Sequence, residues 1–86
     1  MWKESANKLT LSLTLPSFMQ AVVVFNSIAL LAEQANHHPD MQLSYNRLHL
    51  TLTTHDAGNT LTQKDRDLAA AIANALTAQG LEGCAT

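Results

Sequence analysis

Charge is what this 86-residue chain has least of: Asp, Glu, Lys and Arg together make up 14% of it. Soluble domains ordinarily carry about a quarter. A chain this short buries only a modest core, so the shortage implies that apolar faces are hidden between subunits of an oligomer. Basic excess is also missing, since the net charge is −2. That removes the electrostatic footprint of a nucleic-acid binder. Cysteine appears once, as Cys84, which excludes an internal disulfide and fits a reducing compartment. No apolar segment follows Met1-Trp2-Lys3-Glu4 in the manner of a signal peptide. The most apolar run, Phe18 to Ala32, is interrupted by Gln20, Asn26 and Ser27 and falls short of the roughly 20 residues a membrane span needs. The expectation is one cytoplasmic domain over residues 1–86, with no membrane partner. Repeats, low-complexity segments and linkers are absent as well.

What the chain does have is leucine in alternation. Leu9, Leu11, Leu13 and Leu15 alternate with Lys8, Thr10, Ser12 and Thr14, the period of a strand with one buried face. Pro16 ends it, and Ser17 can cap the segment after it. Phe18 to about Asn36 has no such alternation and is too long for one strand. It reads as a helix, apolar over most of its circumference, although Val22, Val23 and Val24 favour strands. Pro39 disfavours helical backbone at His38, so the helix ends near Asn36 or His37. Arg47 to His55 alternates again, with Leu48, Leu50 and Leu52 on one face and Arg47, His49, Thr51, Thr53 and His55 on the other. Asp56 to Thr60 is a loop. Thr62-Gln-Lys-Asp65 resembles a capping box, and helical spacing continues through Leu68, Ile72 and Leu76 to a natural stop at Gly80. The tail beyond Leu81 is expected to fray. Weaker strand patterns occur in Met1 to Ala6 and near Leu43 to Tyr45. One apolar face per strand suits an α+β fold, an antiparallel sheet with both helices on one side.

The chemistry is concentrated in Ala32-Glu-Gln-Ala-Asn-His-His-Pro-Asp40, which holds two of the four histidines. Glu33 and His37, four residues apart, share a face if the helix continues that far. A carboxylate there would fix the imidazole tautomer and prepare the ring for proton transfer. His38 points elsewhere as the helix ends. His55 completes the group if the end of its strand lies beside the helix end. Two other readings of the same residues stand: solvated groups at a helix end, and a metal site with His37, His38 and His55 as ligands. His49 reads as a surface residue. Cys84, in the tail, has no histidine at a predictable distance to activate it.

Glu33-x-x-x-His37-His38-Pro39, followed by Tyr45, His55 and Asp65, resembles the signature of the pterin-4a-carbinolamine dehydratase family. The strand Tyr45-Asn46-Arg47 to Thr54-His55 and the helix start Leu61-Thr62-x-x-Asp65 are similar to that family's as well. The likeness is close from Glu33 to Leu68 and looser before it. It implies two helices on one face of a four-stranded antiparallel sheet, assembled as homodimers or homotetramers. It also implies removal of water from a 4a-hydroxytetrahydropterin to give quinonoid dihydropterin, without metal or organic cofactor. Carried over by position, His37, His38 and His55 are the acid/base set, with Glu33 supporting His37. Asn36, Thr53, Thr54 and Asp56 fall where the family contacts the pterin. Pro39 shapes the motif, and Asp65 matches an acidic position that orients a histidine. Asn36 stands where many members have aspartate, and Met41 where they often have an aromatic. Two alternatives remain beside this reading: a non-catalytic pterin-binding or protein-interaction module, and a dehydratase acting on another pterin.

Overall fold

The leucine alternation becomes the middle of a sheet. The computed structural model describes residues 1–86 and contains four strands, β1 (Lys3–Ser5), β2 (Lys8–Thr14), β3 (Asp40–Ser44) and β4 (Arg47–Leu52). Two helices are inserted, α1 (Phe18–Ala35) before β3 and α2 (Gln63–Ala78) after β4. The strand order is β1-β2-β4-β3, and every pair is antiparallel. β2 and β4 form the centre in the register Leu9↔Leu52, Leu11↔Leu50 and Leu13↔Leu48, so both leucine rows lie on the same face. All of these leucines are buried, as is Leu15. The weaker pattern in Met1 to Ala6 contains the edge strand β1, whereas that near Leu43 to Tyr45 overlaps only the end of the other edge strand, β3, which begins at Asp40 and stops before the turn at Tyr45.

Both helices cover that leucine face. α1 places Ala21, Val24, Ile28 and Ala32 against it, and α2 places Leu68, Ala69, Ile72 and Leu76. The spacing of three and four residues is that of one helical stripe. By length and composition α1 would qualify as a membrane span, with a mean hydropathy of 1.4. In the fold, one stripe of it packs on the sheet, while Phe18, Met19, Val23 and Leu30 remain exposed. The outward face of the sheet carries polar side chains, among them His49, whose Nδ1 meets the Ser12 hydroxyl at 2.7 Å.

Capping residues explain where the helices begin and end. The Ser17 hydroxyl accepts the Gln20 N–H at 3.1 Å. α1 ends at Ala35 because Asn36 turns left-handed, with φ 50°. The Asn36 N–H then bonds the Glu33 carbonyl and the His37 N–H the Ala32 carbonyl, the paired bonds of a Schellman ending. α2 stops in the same manner with Gly80 at φ 72°: the Gly80 N–H bonds the Thr77 carbonyl and the Leu81 N–H that of Leu76.

Two details of the sequence reading are corrected. The alternating strand ends at Leu52 rather than His55: Thr53 and Thr54 are both buried, and His55 opens a 3-10 turn through Ala57. The tail does not fray. Glu82–Cys84 form a further 3-10 turn, Ala85 bridges to Leu13, and the Thr86 N–H bonds the Ser12 carbonyl at 2.9 Å. The tail takes the place beside β2 that β1, only three residues long, leaves open.

Candidate active site

Three chain segments meet beyond the sheet: the end of α1, the end of β4 and the start of α2. At their junction lies an open cavity of about 210 Å³, lined by Asn36, His37, His38, Thr53, Thr54, His55, Asp56 and Lys64. All of the lining is polar. Seven of these eight residues are candidates named from the sequence. Glu33, Pro39 and Asp65 do not line the cavity, and neither does Tyr45, which sits exposed with φ 55° in the β3–β4 turn.

Asp65 lies beneath this cavity, wholly buried. Its Oδ1 accepts from His37 Nε2 at 2.6 Å, and its Oδ2 accepts from the Thr54 hydroxyl at 2.6 Å and from the Thr62 N–H at 3.0 Å. The last bond is the capping-box contact foreseen at the start of α2. Burial alone would push this carboxyl up. The hydrogen bonds from His37, Thr54 and the Thr62 backbone, with the charge of His37, outweigh that and hold it below its ordinary 3.8. An ionised carboxylate only accepts, so His37 donates from Nε2 and keeps Nδ1 for another partner.

The carboxylate assigned to His37 from helical spacing is therefore the wrong one. Glu33 Oε1 instead meets His38 Nε2 at 2.6 Å. The left-handed turn at Asn36 ends the helix before His37, so the four-residue spacing no longer puts Glu33 and His37 on one face. The two pairs also differ in setting. His37 is 12% exposed against a fully buried Asp65, whereas His38 and Glu33 are 57% and 76% exposed.

His55 is held from its own loop: its Nδ1 meets Asn59 Oδ1 at 2.6 Å. Gly58 at φ 82° and Asn59 at φ 57° turn the chain back after the 3-10 turn, and only glycine or a short polar side chain accepts such backbone readily. The Thr54 N–H bonds the Thr60 carbonyl and closes the loop at its base. His55 Nε2 is left free of these contacts. The three histidines are not gathered as a ligand set, and no three His, Cys, Asp or Glu side chains lie together in the arrangement of a metal site.

Lys64 is the lining residue that sequence reasoning passed over. It sits within the capping box, where the pattern explains Thr62 and Asp65 and is silent about the residue between them. His37 and Lys64 also border a second, wider groove of about 360 Å³ between α1 and α2, whose walls are Leu31, Gln34, Ala35, Asp67, Leu68 and Ala71.

Residues 1–75 match the model of the family described as pterin 4 alpha carbinolamine dehydratase. A relative from Trichormus variabilis is 46% identical over 71 residues, covering 83% of this chain and 75% of its own. One from Chloroflexus aurantiacus is 48% identical over 71 residues, with the same coverage. The names of both assign them pterin-4-alpha-carbinolamine dehydratase activity provisionally. Among solved structures, a protein described as a transcriptional coactivator/pterin dehydratase from Brucella melitensis superposes with TM-score 0.77 at 31% identity, over 85% of this chain and 79% of that one. A pterin dehydratase-like protein described as a RuBisCO assembly factor of the alpha-carboxysome shares the fold, with TM-score 0.66 at 18% identity over 84% and 82% of the two chains. The chain belongs to the pterin 4 alpha carbinolamine dehydratase family.

Proposed function

We propose that the chain removes water from a 4a-hydroxytetrahydropterin and releases quinonoid dihydropterin, with histidines as the general acid and base. The supporting observation is the His37–Asp65 pair beside a small polar cavity bordered by two more imidazoles. In the reaction the C4a–OH bond breaks, the hydroxyl takes up a proton and leaves as water, and N5 gives up its proton as the C4a=N5 double bond forms. One group must donate while another accepts. His37 takes the N5 proton on Nδ1, because Asp65 stabilises the imidazolium that results. His55 acts as the imidazolium: its Nδ1–H donates to Asn59 Oδ1 while its Nε2–H protonates the departing hydroxyl, leaving the ring neutral. His38 and Asn36 hold the ring's edge, and Thr53, Thr54 and Asp56 complete the wall. Such positioned groups contribute roughly 10²–10⁴-fold each, which suffices for a carbinolamine that already dehydrates readily.

Nothing in these steps asks for a metal or an organic cofactor, and a chelator is expected to leave the rate unchanged. The deciding experiment is stopped-flow dehydration of chemically generated 4a-hydroxytetrahydropterin. Acceleration that His37→Ala abolishes supports the reading. A rate equal to buffer alone rejects it. The interaction-module reading then takes its place, resting on the exposed Phe18, Met19, Val23 and Leu30 of α1.

A further inference from the structure

The outward face of the sheet differs in charge from the rest of the chain. Alternation and register put Lys3, Lys8 and Arg47 on it, three of the chain's five Lys and Arg residues. Asp40 is the one acidic strand residue there, because Glu4 turns the other way to Arg66 of α2. A chain of net charge −2 thus carries a positive face. On that face is an open cavity of about 290 Å³, lined in two rows by three neighbouring strands. Ser12, His49 and Gln42 form one row across β2, β4 and β3, and Thr14, Arg47 and Ser44 form the next. The chain's other three cavities each include an aspartate, whereas this one has no acidic side chain in its lining. It shares no residue with the cavity that holds His37 and His55.

We infer that this cavity is a second binding site, and that it takes the phosphate group of a small, polar phosphate monoester. Arg47 enters none of the chain's three side-chain ion pairs, so its fork of N–H donors is open to an oxyanion. The Ser12 hydroxyl and His49 Nδ1 meet at 2.7 Å, which ties the imidazole to the neighbouring strand. With the ring protonated, Nδ1–H donates to Ser12 Oγ and the Ser12 hydroxyl is released to donate outward, while Nε2–H is a further donor. β2 and β4 then both offer donors, and the Gln42 amide on β3 adds a third direction. A carboxylate has two oxygens, and a single guanidinium answers both. A phosphate monoester has three terminal oxygens and a charge of about −1.5 to −2 at neutral pH. Arg47 with an imidazolium matches it in both number and sign. Thr14, Ser44 and, from the tail, Thr86 bring hydroxyl groups to the rest of the wall, which suits a hydroxylated carrier. This site is independent of the dehydratase reading.

The test is a titration followed by amide and side-chain chemical shifts, with ribose 5-phosphate, gluconate and ribose as probes. Ribose 5-phosphate is expected to shift the resonances of Ser12, Gln42, Arg47 and His49 saturably. Gluconate should bind at least about tenfold more weakly, and ribose should cause no shift. Arg47→Gln should weaken ribose 5-phosphate binding at least about tenfold, the scale of a lost charge-assisted contact. Ser12→Ala and His49→Gln should each weaken it roughly threefold or more. Arg47 and His49 are exposed and Ser12 is half-buried, so these variants keep the leucine core, and the map in the wild type needs no variant at all. Absence of saturable shifts, or shifts confined to the cavity of His37 and His55, overturns the inference. So does an affinity that Arg47→Gln leaves unchanged. Equal affinity for gluconate makes the face a general anion patch and rejects the phosphate site. A short single-stranded oligonucleotide that displaces ribose 5-phosphate from the same residues at far lower concentration assigns the face to nucleic acid instead.

Discussion

His37 Nε2 donates to Asp65 Oδ1 at 2.6 Å across 28 residues of chain, from the turn after α1 to the first turn of α2. Removing the carboxylate leaves the largely buried His37 imidazole and the Thr62 N–H without their acceptor, and leaves the Thr54 hydroxyl only the Thr62 hydroxyl as a partner. Asp65→Ala is expected to destabilise the fold by about 3 kcal/mol, the low end for breaking a buried pair. Asp65→Asn keeps the shape and loses the charge, so it should fold better and still lower kcat at least tenfold, because His37 loses the group that stabilises its protonated form. Chemical denaturation and steady-state kinetics on the two variants separate these effects. Full activity in a folded Asp65→Asn would refute the role given to the pair.

Acid should find the same residue. A carboxyl whose folded pKa lies below its unfolded value adds stability above the unfolded value and loses it as pH falls through the folded one. The unfolded value for Asp65 is near 3.8 and the folded one is lower. Thermal melts should therefore show no contribution from this group to any change between about pH 5 and pH 7, and a decline below about pH 4. In Asp65→Asn that part of the decline should be missing. An identical acid limb in the two proteins would count against the assignment.

Among the histidines, the expected ranking reflects their surroundings. His37→Ala and His55→Ala should each lower kcat by at least about tenfold, a floor under the range for positioned acid/base groups. Their double variant should lose less than the product of the two, since both act on one substrate. His38→Ala should chiefly raise KM. Glu33→Gln should change stability little, because the Glu33–His38 pair is solvent-exposed and such pairs contribute little. His49 lies on the opposite face of the sheet against Ser12, and His49→Ala should alter neither kcat nor KM. A kinetic defect in folded His49→Ala matching that of His37→Ala would move the site elsewhere.

Asn36 sets the direction of both histidines through its left-handed backbone. Asn36→Gly should leave stability unchanged or raise it slightly. Asn36→Val should cost about 1–2 kcal/mol, the penalty for a branched L-residue in that region, and should disturb His37 and His38 together. Equilibrium unfolding of the two variants checks this, and equal stabilities would contradict it.

Association is the remaining expectation. Met19, Val23 and Leu30 are 64%, 56% and 64% exposed along α1, a spacing that puts them on one outward stripe. A dimer or tetramer is expected by light scattering at micromolar concentration, with Val23→Glu/Leu30→Glu reverting it to the single-chain mass. A wild type already at that mass rules the prediction out.

Much of this architecture was legible because one signal dominates it. Leucines at Leu9, Leu11, Leu13 and Leu15 and at Leu48, Leu50 and Leu52 have no other use for their alternation than a half-buried sheet. Of the cavity residues, His37, His38 and His55 were legible from their own chemistry, and Asn36, Thr53, Thr54 and Asp56 only through the resemblance to the family's motifs. Lys64 was not, since its approach to that cavity depends on how α2 docks rather than on any local pattern. The partner of Glu33 was misread because helical spacing was extended past Asn36, where a single left-handed residue redirects everything after it. The ordered tail depended on the shortness of β1, a property of the neighbouring strand.

The central strands β2 and β4 are neighbours in space but are separated in sequence by α1 and β3. The β3–β4 hairpin can zip locally, whereas β2 must close a long loop to reach β4, and such non-local pairing is the slow part of folding. His37 and His55 flank that hairpin, but Asp65 is carried by α2, which docks on the leucine face that β2 and β4 share. The complete His37–Asp65–Thr54 arrangement is thus expected to form late in the chain's refolding. Recovery of pterin binding after dilution from denaturant should lag behind recovery of backbone circular dichroism, which makes the site a clock for the last step of assembly.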